Sequence, residues 1–133
     1  MNGVVEQEVE DLRSDYTVDV DEDADQKSEK FTHVIVRDWP IPSDEYNKDT
    51  TDVMIRVPDG YPNKPPDWIH VDEDLTLSNG EQLRNAKPNR IPNWLSLSYH
   101  PKQVKDDFEW QPYEHDLRWY LEVLVAMRFR QED

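Results

Sequence analysis

The stretch that decides the fold is Val57-Pro58-Asp59-Gly60-Tyr61-Pro62-Asn63-Lys64-Pro65-Pro66-Asp67. Pro62, Pro65 and Pro66 have no N–H to give to a helix or to an inner strand, so this segment connects elements. On its N-terminal side Thr51 to Val57 is rich in β-branched residues and reads as a strand closed by Pro58, Asp59 and Gly60. On its C-terminal side Trp68 to Val71 reads as the next strand, extending toward Leu77 before an Asn79-Gly80 turn.

Working outward, Phe31 to Trp39 (FTHVIVRDW) is the clearest strand and stops at Pro40. Before it, Tyr16, Val18 and Val20 alternate with polar residues as in a half-buried strand. Val5, Val9 and Leu12 recur at helical spacing, which predicts a short amphipathic helix over about 4–14. Residues 1–15 are expected to be helical or a partly disordered acidic segment. At the other end Leu117, Tyr120, Leu121, Leu124 and Met127 or Arg128 trace one helical stripe, with Pro112 suited to the first turn. Between the last strand and this helix, residues 81–109 show no clear periodicity and contain Pro88, Pro92 and Pro101. The order predicts one α+β domain over 1–133: a helix, a four-stranded antiparallel meander, a long irregular crossing, and a helix packed on the sheet.

Composition narrows the function. The chain has 133 residues, 30 acidic against 15 basic side chains, and a formal net charge of −15. Such a balance argues against nucleic acid and against an anionic membrane as partners. With no apolar run near the roughly 20 residues of a membrane span and no signal-like N-terminus, a soluble cytoplasmic protein is expected. No cofactor is implied, because the four His lack metal-ligand spacing and there is no glycine-rich phosphate loop. The absence of Cys removes disulfides and every thiol nucleophile.

Tyr61-Pro62-x-x-Pro65-Pro66 between the third and fourth strands, with Trp110-Gln111-Pro112 before the last helix, resembles the ubiquitin-conjugating (UBC) fold. Further motifs are similar to those of the prokaryotic UBC-like family E: Pro65-Pro66-Asp67, Trp94 followed by Ser98-Tyr99-His100, and Asp116-Leu117 after Pro112. Leu97 stands where a second Trp often falls, and Tyr113 where Gly often follows the proline. The resemblance spans about residues 4–131. It implies a role in bacterial ubiquitin-like conjugation, with a ubiquitin-like protein, an adenylating activating enzyme and a target lysine as partners.

Ordinary members of that superfamily carry the modifier as a thioester on Cys, and this chain has none. An oxygen nucleophile needs a base within hydrogen-bond reach. Ser98 lies in the crossing, with His100 two positions on, and the two would share a face of an extended strand. Ser98 is therefore the first candidate acyl acceptor, with His100 as base and Ser96 second. The competing expectation is a catalytically inactive UBC-variant or RWD-like module that binds a ubiquitin-like protein or the activating enzyme. Asn79 is a candidate oxyanion amide, against the plainer reading of Asn79-Gly80 as a turn.

Overall fold

The computed structural model describes residues 3–21, 31–99 and 109–130. Helix α1 (Gly3–Arg13) leads into strands β1 (Val18–Asp21), β2 (Phe31–Pro40), β3 (Thr50–Pro58), β4 (Ile69–Asp72), β5 (Ala86–Ile91) and β6 (Trp94–Leu97). A C-terminal helical segment, α2, covers 117–130. The strands form one antiparallel sheet in the order β1-β2-β3-β4-β6-β5.

The four-stranded meander expected from the sequence is present as β1 to β4, but the sheet is larger by two strands. The crossing, read as irregular, contains the β5–β6 hairpin, and β6 pairs with β4. The reason is local. Asn85, Asn89 and Asn93 all have positive φ, at 60°, 64° and 73°, a conformation Asn tolerates better than most residues. Asn85 precedes β5, Asn93 sits in the turn to β6, and Asn89 lies where the register breaks between Lys87 and Ile91, which erases the alternation that would mark β5 in the sequence.

Register explains which face is covered. Val18 pairs with Val36, Val36 with Val53, Val53 with Val71 and Val71 with Leu95. All five are buried in one hydrophobic core with Val5, Val9 and Leu12 of α1 and Leu117, Leu121 and Leu124 of α2. Both helices therefore lie on this face. The opposite face carries the row Ile35, Met54, His70, Ser96 and Lys87.

Helix α2 starts later than Pro112 suggests. Asp116 is its N-cap, in extended conformation, and its carboxylate accepts from the Trp119 N–H at 2.7 Å. Pro112 lies in the preceding loop. The helix opens with an α-helical turn at Leu117–Trp119, continues as a π-helix over Tyr120–Val125 and returns to α-helix over Ala126–Arg130. Leu117, Tyr120, Leu121 and Leu124 of the expected stripe are buried, and of the two candidates for its last position Arg128 is buried and Met127 half-buried; Val125 and Phe129 are buried beside them. Among the described residues, no helix is long and apolar enough to cross a membrane.

Candidate functional site

The two motifs that carry the sequence resemblance meet in space. Trp110 donates its Nε1–H to the Pro62 carbonyl at 2.8 Å, across 48 residues of chain. Its ring packs against Tyr61, His115 and Trp119 at centroid separations of 6.0, 5.5 and 6.0 Å. The Tyr61 hydroxyl donates to Glu8 Oε1, and the same oxygen accepts the Leu117 N–H at 2.9 Å. One carboxylate of α1 thus ties the Tyr-Pro turn to the start of α2. Burial, more than any neighbour, pushes the Glu8 carboxyl above its ordinary range. Tyr61, Pro62 and Pro66 are buried and Pro65 is half-buried, so the motif acts here as a packed joint.

The candidate nucleophiles sit at the other end of the sheet's last hairpin. Ser96 is a β6 residue and is fully buried. Its Oγ lies 2.9 Å from Nδ1 of His70, its partner across β4 and β6. This is a hydroxyl–imidazole pair that the sequence reading did not bring together. Burial pushes His70 down to about 3, with help from the charges of Arg56, His33 and Arg90. The imidazole is neutral at pH 7, but it is a weak base, and no solvent path reaches the Ser96 hydroxyl.

Ser98 is half-buried, one residue beyond the end of β6. Its N–H donates to the Asn85 carbonyl at 3.0 Å. The Tyr99 N–H turns back onto the Leu97 carbonyl at 2.9 Å, a tight turn centred on Ser98. Strand alternation therefore stops at Leu97 and does not extend through Ser98. His100 lies outside the described residues. Tyr99 itself is buried, and its hydroxyl is raised by desolvation against the opposing charges of Arg128 and Arg84. Arg128, buried in α2, donates Nη2–H to the Arg84 carbonyl at 2.7 Å, which holds the approach to β5 against the helix.

Asn79 and Gly80 form a turn, with Gly80 at φ 88°. Asn79 Oδ1 accepts the Glu81 N–H at 2.9 Å, so its carboxamide serves its own loop. Among the described residues no group of His, Asp or Glu is arranged to hold a metal ion. Trp39 is buried, while Trp68, Trp94 and Trp119 are half-buried.

The sheet face opposite the helices carries a cleft of about 250 Å³ lined by Phe31, Arg56, Lys64, Trp68, His70 and Arg90, with Pro58, Pro65 and Asp67. No sequence signal marked it, because its residues come from four separate parts of the chain.

No curated protein and no solved structure shows significant similarity to the chain. One family model does match, over residues 6–127, and it takes in most of α1, the whole sheet, the Tyr-Pro turn, the Trp110 joint and most of α2. The chain belongs to the prokaryotic E2 family E, the E2-like proteins to which a general role in ubiquitin-like conjugation attaches.

Proposed function

We propose that this protein is a conjugation carrier that uses serine in place of cysteine. It accepts the C-terminal carboxyl of a ubiquitin-like protein from an adenylating activating enzyme and passes it to a target lysine. The observation that carries this reading is an E2-family chain with no Cys, in which Ser98, just past the end of β6, is half-buried while the neighbouring Ser96 is sealed. In the loading step Ser98 Oγ attacks the activated carbonyl carbon. An Oγ–C bond forms, the activating group leaves with the electron pair of its bond, and the hydroxyl proton passes to His100. In the second step the lysine amine attacks the same carbon, and Ser98 Oγ leaves and takes back a proton. An oxyester reacts with amines more slowly than a thioester, so transfer depends on a tightly held lysine.

The test is reconstitution with a ubiquitin-like protein, its activating enzyme and ATP. Wild type is expected to form an adduct labile to base and hydroxylamine. Ser98→Ala abolishes it without affecting non-covalent binding to the activating enzyme, and Ser98→Cys restores an adduct now labile to thiols. A normal adduct in Ser98→Ala places the acyl acceptor elsewhere, with Ser96 next.

One observation favours the alternative, a UBC-variant or RWD-like binding module. The Ser96 hydroxyl has the His70 imidazole at hydrogen-bond distance, yet it is buried and that imidazole is a weak base. Absence of any adduct in wild type with active partners selects that reading.

A further inference from the structure

Acidic side chains are missing from one part of this acidic chain. Residues 82–105 hold five basic and no acidic residues, so the rest of the chain carries −20 against −15 for the whole. The described part of this run is the β5–β6 hairpin and its approach. On β5 the consecutive residues Lys87, Pro88, Asn89 and Arg90 are all exposed, and β5 is an outer strand with β6 on its inner side. Lys87 and Arg90 form no ion pair among the described residues. Of the acids near the hairpin, Asp72, opposite Trp94 of β6, is taken up by Lys48 at 3.1 Å, and Asp67 borders the cleft that Arg90 also lines.

The backbone of β5 favours attachment through side chains. Pro88 has no N–H and Asn89, at φ 64°, leaves the extended form, so an incoming strand finds no continuous ladder. The Arg90 guanidinium is stacked on Trp68, 4.0 Å from the ring centroid, which orients it before a partner arrives. The same hairpin carries Ser98. Lys87 is paired with Ser96 and Ala86 with Leu97, and the Ser98 N–H donates to the Asn85 carbonyl at 3.0 Å. A chain whose C-terminal carboxyl reaches Ser98 therefore arrives beside β5.

We propose that the β5 rim recognises the modifier, and that this modifier is acidic in the segment preceding its C-terminus, with Lys87 and Arg90 meeting its carboxylates. The identity of the occupant rests on the carrier reading; the preference of the rim for an acidic peptide does not. Exposed pairs of this kind add little affinity, so the rim acts on the encounter rate and on the choice of partner. A polyphosphate is a poorer fit, because the net −20 outside the run repels a long anion at every other face.

The test uses the full chain with short Glu-rich, Gln-rich and Lys-rich peptides bearing a free C-terminal carboxyl, and with oligo-dT, followed by fluorescence anisotropy and amide NMR. The Glu-rich peptide is expected to bind most tightly, to shift the amides of Lys87, Asn89 and Ser98, and to weaken at least about tenfold between roughly 50 and 500 mM salt. Lys87 and Arg90 are exposed, so the double variant Lys87→Glu/Arg90→Glu should melt as wild type does while losing at least about tenfold in affinity for that peptide. Lys87→Arg/Arg90→Lys should keep it. Equal binding of the Gln-rich peptide, tighter binding of oligo-dT or of the Lys-rich peptide, or unchanged affinity in the charge-reversed variant would overturn the surface. In reconstitution with a ubiquitin-like protein, its activating enzyme and ATP, the charge-reversed variant should load at least about tenfold more slowly at low salt. Loading at the wild-type rate overturns the recognition role and leaves the carrier reading standing. No adduct in wild type overturns the carrier reading and the modifier as occupant, whatever the peptides do.

Discussion

Acid should weaken this protein through His70 in a way one substitution removes. In the fold His70 is held down to about 3, chiefly by burial and then by Arg56, His33 and Arg90. In the unfolded chain it titrates near 6.5. A histidine depressed in the fold contributes stability that is complete above the unfolded value. That stability is lost as pH falls from 6.5 toward 3, because the unfolded chain takes up a proton the fold refuses. Integrating between pH 7 and 4.5 gives a loss of about 2.5 kcal/mol from this residue. His33 is also depressed, first by burial and then by Arg56, and adds a loss of the same sign. His70→Asn places an amide where Nδ1 stood, keeps a partner for Ser96 and cannot titrate. Urea unfolding at pH 7 and 4.5 should show wild type losing about 2.5 kcal/mol more than His70→Asn between the two. Equal losses in the two proteins would refute the reasoning and show that His70 is protonated in the fold.

Three further outcomes follow from the packing. Trp110→Ala should lower stability by about 3 kcal/mol, because it removes the Pro62 hydrogen bond and the aromatic joint together; an unchanged melting temperature would show that the joint is dispensable. Glu8→Ala should cost about 2–4 kcal/mol by stranding the Tyr61 hydroxyl and the Leu117 N–H. Glu8→Gln should be near neutral at pH 7, since the fold raises the carboxyl and favours its uncharged form, stability from that form being lost as pH rises through the raised value. Thermal melts of both variants check this pair. The net charge of −8 over residues 1–30 should make association with a basic partner slower in salt, and an on-rate unchanged between roughly 50 and 500 mM salt would contradict an acidic docking surface.

The meander and both helices were legible because their apolar residues keep strict periods: Val34 and Val36 in β2, Val53, Ile55 and Val57 in β3, and Val5, Val9 and Leu12 in α1. Tyr61-Pro62 and Trp110-Gln111-Pro112 were legible as motifs, and their contact gives them a physical reason. The β5–β6 hairpin was not, because left-handed Asn residues and Pro88 interrupt any alternation. The His70–Ser96 pair was equally hidden. It depends on β6 lying beside β4 in one register, and pairing between strands more than 20 residues apart leaves no local trace. Ser98 was singled out by motif as a candidate, but the backbone turn that carries it was not legible, since γ-turns have no strong composition signal.

The interrupted β5 has a bearing on how the protein behaves when concentrated. Among the described residues β1 and β5 are the outer strands of the sheet, and an outer strand is a template on which another chain can add. In β5 Pro88 withholds a donor, Asn89 turns the backbone out of the extended form, and Lys87 and Arg90 are exposed. In β1 the exposed Asp21 and Asp19, the latter paired to Arg37, put charged side chains along the rim. One rim thus refuses a neighbour by broken geometry and the other by charge, which guards the sheet against growing into a fibre.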